Sequence, residues 1–136
     1  MARAILAGCH YLQDSSVTID ALRFYGSPYT PRFFDWAFNQ DRGPISAARW
    51  SMIPPGTDVL ITHGPPLRIL DRNLGGQDCG CADLLDAVQR VKPRLHVFGH
   101  IHEAAGTVRR AGTAFVNASV LDRRYQLANP PVVVDL

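Results

Sequence analysis

The sequence predicts an α/β fold bordering on α+β, a layered sheet in which strands and helices alternate through the middle and hairpins stand near both ends. Three observations carry that prediction. The apolar runs Val59–Thr62 and Leu95–Phe98 read as buried strands. Between them, the amphipathic stretch Ala82–Val91 reads as a helix that presents Leu84, Leu85, Val88 and Val91 on one face. Each strand is followed at once by histidine and turn residues, His63-Gly64-Pro65-Pro66 after the first and Gly99-His100-Ile101-His102 after the second.

Size and composition bound what the chain can be. Its 136 residues form a single domain, 1–136, with 46% hydrophobic and 19% charged residues, the balance of a folded globular protein. A net charge of +2 gives no reason to expect nucleic acid or a membrane as partner, and the pairs Arg109-Arg110 and Arg123-Arg124 read as solvated surface. No apolar run approaches the ~20 residues that span a bilayer. The opening Met1–Gly8 is too short for a secretory signal, so the expected location is cytoplasmic. Cys9, Cys79 and Cys81 are an odd number and do not suggest a disulfide framework. Cys79-Gly80-Cys81 lacks further ligands for a metal, and Cys81 is expected as a buried or helix-capping thiol.

In chain order, Val17–Asp20 and Leu22–Tyr25 alternate polar and apolar residues and predict an antiparallel hairpin with one wet face. In the segment Tyr29–Phe38, prolines 28 and 31 forbid a regular helix at its start. Its aromatics Phe33, Phe34, Trp36 and Phe38 are expected to staple the loop onto the core, the alternative being a stacking surface near a substrate. A short helix follows over Ile45–Ile53, offering Ile45, Ala48, Trp50 and Met52 to the sheet, and Pro54-Pro55-Gly56 ends it. Leu67–Gly76 reads as loop. Thr107–Arg109 and Thr113–Asn117 predict a hairpin turning at Ala111-Gly112, and Pro131–Leu136 predicts a final strand.

The histidines carry the chemistry. Ligands collect at the carboxyl ends of strands in sheets flanked by helices, so two strand ends that each deliver histidine suggest one shared metal site. In extended backbone His100 and His102 project to the same side. That spacing suits two metals ~3.5–4 Å apart, or one metal if the loop bends. Pro65 and Pro66 stiffen the loop carrying His63. Glu103 and Asp71 are candidates to orient a ligand nitrogen. His96, mid-strand among apolar neighbours, is expected to be a satisfied core histidine, and His10 is not expected to be a ligand.

T-H-G-P-P at 62–66 followed by V-F-G-H-I-H at 97–102 resembles the calcineurin-like metallophosphoesterase superfamily. The nearer similarity is to the branch of brain-expressed metallophosphoesterase-domain proteins. Tyr11–Ser15, Phe24–Pro28, Trp36–Asn39 with Arg42-Gly43, Asn117-Ala118-Ser119 and Asn129-Pro130-Pro131 all look like that branch. The resemblance implies a double-sheet sandwich flanked by helices, divalent metal ions (Mn, Fe, Zn or Mg) at its strand ends, and hydrolysis of a phosphomonoester or phosphodiester by a metal-activated hydroxide. It implies that His63 and His100 hold one metal and His102 the other. It also implies a small phosphoester substrate, a nucleotide among them.

The family's D-x-H, G-D and G-N-H motifs, which bring its aspartates and its catalytic histidine, have no counterpart in this sequence. Gly8-Cys9-His10 is only superficially similar to the last of them. The chain is therefore expected to be the carboxyl-terminal portion of the domain, lacking the amino-terminal strands. It should hold one metal or fewer, contain no catalytic residue of its own, and turn over little or nothing alone. A non-catalytic metal-binding remnant and one half of a split enzyme are the alternatives. An uncovered sheet would favour self-association or a complementing chain.

Overall fold

The computed structural model describes residues 5–136, so the first four residues of the amino-terminal stretch read for a targeting signal lie outside it. Its centre is a six-stranded sheet in the order β1-β2-β5-β6-β8-β7, built from β1 (Ser15–Ile19), β2 (Leu22–Ser27), β5 (Val59–Thr62), β6 (Leu95–Phe98), β7 (Gly106–Arg110) and β8 (Thr113–Asn117). The inner pairs β2–β5, β5–β6 and β6–β8 are parallel, and the outer pairs β1–β2 and β7–β8 are antiparallel hairpins. Helices α1 (Pro44–Ser51) and α2 (Ala82–Val91) cross between the parallel strands. A two-stranded parallel patch, β3 (Thr30–Pro31) with β4 (Asn39–Gln40), closes the aromatic loop. The mixed α/β class is as expected, and the central sheet with its two helices is one layer of the sandwich that the resemblance implies.

Register explains which face each side chain takes. Tyr25, Leu60, His96 and Phe115 stand in one row across four strands, and the next row on that face is Ser27, Thr62, Phe98 and Asn117. Trp50 and Ile53 beside α1, with Leu84, Ala87 and Val88 of α2, pack on this face and complete the main core. The intervening rows, Phe24-Val59-Leu95-Ala114 and Ile61-Val97-Val116, form a second apolar face. Val134 packs there, while Ile61 remains 39% exposed. A one-residue slip of any inner strand would exchange these faces, so the pattern of apolar residues holds the register.

Four expectations need correction. In α1 the buried positions are Ser46 and Trp50, whereas Ile45 and Met52 are 57% and 52% exposed. Ser46, Trp50 and Ile53 are spaced by one helical turn and share a face, which Ile45 and Met52 do not. The carboxyl-terminal Pro131–Leu136 is no strand, because it pairs with no sheet edge and contributes only Val134 to the second face. The aromatic loop is stapled to the core only through Tyr29, with Phe38 edge-on against it, whereas Phe34 and Trp36 are 75% and 54% exposed. Finally, neither Glu103 nor Asp71 orients a histidine, for reasons given below.

The hairpins form where expected. Asp20 and Ala21 both take positive φ (48° and 65°), as do Ala111 and Gly112 (49° and 88°), giving two-residue turns whose twist matches that of the strands. Cys81 caps α2 from a fully buried position, its Sγ 3.2 Å from Ser46 Oγ. No helix among the described residues is long and apolar enough to cross a membrane.

Candidate metal centre

The parallel strands β5 and β6 end side by side, and backbone geometry turns their next residues toward each other. Thr62, buried at the end of β5, donates its hydroxyl to the carbonyl of Gly64 at 2.8 Å. Its one hydroxyl proton being used, Thr62 Oγ1 accepts from His96 Nε2 at 2.9 Å. His96 is therefore the Nε2–H tautomer. Its Nδ1 has no partner although the ring is fully buried, so this core histidine is half satisfied rather than satisfied. Burial alone pushes its pKa down to about 3.

The same turn sets His63. A side chain at Gly64 would bring its Cβ within 2.7 Å of Thr30 Oγ1, so the chain passes here only as glycine. Gly99 N–H donates to the His63 carbonyl at 3.0 Å and ties the two strand ends together. His100 follows with φ 71°, a left-handed conformation that costs a non-glycine residue ~1–2 kcal/mol. That strain holds His100 Nδ1 2.9 Å from His63 Nε2. The ring of Phe33 meets His100 edge to face at 4.9 Å between centroids. The Phe33 end of the aromatic loop thus borders the histidines, while Tyr29 anchors the loop to the core.

His102 opens a single 3-10 turn, His102–Ala104, and faces differently. Its Nδ1 donates to the backbone carbonyl of Asp122 at 2.9 Å. The lone pair is then on Nε2, the arrangement that orients histidine as a ligand. Tyr125 packs edge-on against the ring at 5.6 Å. The carboxylates expected to do this are committed elsewhere. Glu103 accepts from Leu74 N–H at 3.1 Å, and buried Asp71 accepts from Arg68 N–H and Gly80 N–H at 2.9 and 2.8 Å, organising the loop before α2. Asp122 acts through its carbonyl, a group that every residue has, so no sequence signal marked it. His10 is exposed.

The electrostatics favour neutral rings. Burial and then the charge of His102 lower the pKa of His63. Burial, then His63 and His102, push His100 down to about 4. Both are unprotonated at neutral pH, the form that binds metal.

The donor set decides how many ions it suits. Two imidazole nitrogens each ~2.0–2.1 Å from one tetrahedral ion lie about 3.3 Å apart, close to the observed 2.9 Å once the shared hydrogen is gone. His63 and His100 therefore fit one edge of a single ion. Among the described residues, however, no three His, Cys, Asp or Glu side chains converge as a complete site. A bridged pair of ions, which needs carboxylate charge between them, does not fit this donor set.

A mixed sheet with parallel inner strands, flanked by two helices, is consistent with a partial metallophosphoesterase-like fold. A solved crystal structure matches it with a TM-score of 0.64 at 16% identity, over 87% of this chain and 49% of that one. No family model matches the sequence. Metallophosphoesterase domain-containing protein 1 of Homo sapiens is 51% identical over 138 residues, covering 98% of this chain and 42% of that protein. A UPF0046 protein of Caenorhabditis elegans is 41% identical, covering 99% of this chain and 34% of that protein. The chain belongs to the metallophosphoesterase-domain family and corresponds to a carboxyl-terminal part of these relatives, spanning less than half of either. Membership implies divalent metal cofactors at the level of the family.

Proposed function

We propose that residues 1–136 are the carboxyl-terminal portion of a metal-dependent phosphoesterase domain and supply the histidine side of its metal centre. His63 Nε2 and His100 Nδ1 would hold one divalent ion, with His102 Nε2 beside them. The 2.9 Å approach of His63 and His100, brought about by a strained backbone, is the observation that carries this reading.

A bound divalent ion supplies Lewis acidity and a hydroxide nucleophile near neutral pH. The chain's own residues prepare for that chemistry. Burial keeps His63 and His100 neutral. Binding requires His63 or His100 to move its shared hydrogen to the other ring nitrogen, a tautomer change with no net proton release. The Asp122 carbonyl keeps the His102 lone pair on Nε2, and the Phe33 loop narrows the space above His100. The substrate class is a small phosphomonoester or phosphodiester, nucleotides included. Turnover by this chain alone should be low, because a bridging carboxylate is not among the groups around the histidines.

Calorimetric titration with Zn and Mn tests the site. The intact chain should bind about one ion, and His63→Ala and His100→Ala should each weaken binding at least about tenfold. His102→Ala should have the smaller effect. Equal affinity in all four proteins would remove the shared site. Brisk metal-dependent hydrolysis of an aryl phosphodiester by the purified chain would overturn the expectation of low turnover.

A further inference from the structure

A second cavity, of about 410 Å³, opens between α2, the Leu67–Ile69 segment and the β7–β8 hairpin, and none of the three candidate ligand histidines lines it. Its wall is apolar: Ile69, Val88 and Phe115 belong to the core behind it, and Leu85 is packed against them. The volume lies in the range of small-molecule sites, roughly 300–1,000 Å³.

Its exposed polar groups are mostly cationic, Arg68, Lys92 and Arg110 with Gln89, and the buried Thr113 hydroxyl is committed to the Pro93 carbonyl. No carboxylate lines it. Arg68 is paired with Asp78 at 3.3 Å. Arg110 Nη1 donates only to the Arg68 carbonyl, at 3.1 Å, and Lys92 has no side-chain hydrogen bond or ion pair among the described residues. Among the described residues Lys92 and Arg110 thus form no ion pair beside an apolar wall, an arrangement that favours a single anion joined to a hydrophobic body. Their aliphatic stems can also cover such a body while the charged heads stay wet.

We propose that this cavity binds a small anionic amphiphile, a medium-chain carboxylate whose hydrocarbon lies on Phe115, Val88 and Ile69 and whose head meets Lys92 and Arg110. The site is separate from the histidines and does not depend on the reading of them.

Calorimetry with decanoate below its micelle concentration tests the proposal, with decanol and decyltrimethylammonium as comparators. Decanoate should bind, decanol should bind at least about tenfold more weakly, and the cation should give no signal, because a charge-assisted contact is lost in each comparator. The double variant Lys92→Gly with Arg110→Gln should weaken decanoate about tenfold or more and decanol by clearly less, because the alcohol loses only the aliphatic cover of the Lys92 stem. Folding is not at risk at position 92, where φ 53° and ψ 56° are readily adopted by glycine. His63→Ala should bind decanoate as the intact chain does. Absence of decanoate binding, equal binding by the double variant, or loss in His63→Ala would each overturn the proposal. So would a dimer dissociated by decanoate, which would assign the cavity to a second copy of the chain.

Discussion

His100 and His96 show how much a single residue's surroundings decide. His100 occupies a left-handed backbone position beside His63. His100→Gly should raise thermal stability by up to ~1 kcal/mol through relief of that strain, while weakening metal binding. A variant that loses both stability and metal would show that the imidazole is structural. His96 lies one row into the core with Nδ1 unpaired. Its folded pKa of about 3 lies below the ordinary histidine value of 6.5, so the folded state holds the neutral ring while the unfolded chain takes up a proton as pH falls. The stability contribution is complete above pH 6.5 and is lost as pH drops toward 3, at up to about 1.4 kcal/mol per pH unit. His96→Met removes the titrating group while Thr62 keeps its bond to Gly64. Urea melts at several pH values should therefore show a slope shallower by about one proton in the variant; an unchanged slope would count against the buried neutral ring.

Among the elements, the hairpins carry the clearest local cost. Ala21 stands at φ 65° in the β1–β2 turn, where glycine or asparagine is the low-energy choice. Ala21→Gly should raise stability by about 1 kcal/mol, read as a higher melting temperature without change in metal affinity. A fall would mean that another interaction holds Ala21. The elements were largely legible because their signals are local: alternation along β1 and β2, apolar runs in β5 and β6, and the Ala111-Gly112 turn. The face of α1 was not. Ile45 and Met52 are apolar but lie off the stripe that Ser46, Trp50 and Ile53 share, and the buried Ser46 hydroxyl is satisfied by the Cys81 thiol and the Gln40 side-chain amide against it. The tail Pro131–Leu136 has the composition of a strand but pairs with neither edge of the sheet, β1 or β7.

For the molecule as a whole, the second face of the sheet is only partly covered. Val134 lies on it, while Ile61 remains exposed beside Val97 and Val116. We propose that this face meets a second copy or a complementing chain. Light scattering after size exclusion should then show association that rises with concentration, and Ile61→Lys should suppress it. A monomer across a hundredfold concentration range, about 2.7 kcal/mol of mass action, would argue against such contact.

The sequence by itself determined the six strands of the main sheet, the second helix, both hairpins and the two strand ends that carry histidine, because periodicity and turn chemistry act over a few neighbouring residues. It also carried the family resemblance, in T-H-G-P-P and V-F-G-H-I-H. Tertiary structure alone decided that His63 and His100 touch while His102 turns to the Asp122 carbonyl, and that Asp71 and Glu103 serve backbone amides instead of histidines. It likewise placed the aromatic loop beside His100. These depend on the adjacency of β5 and β6 and on where backbone groups of distant segments point, and no spacing along the chain encodes either.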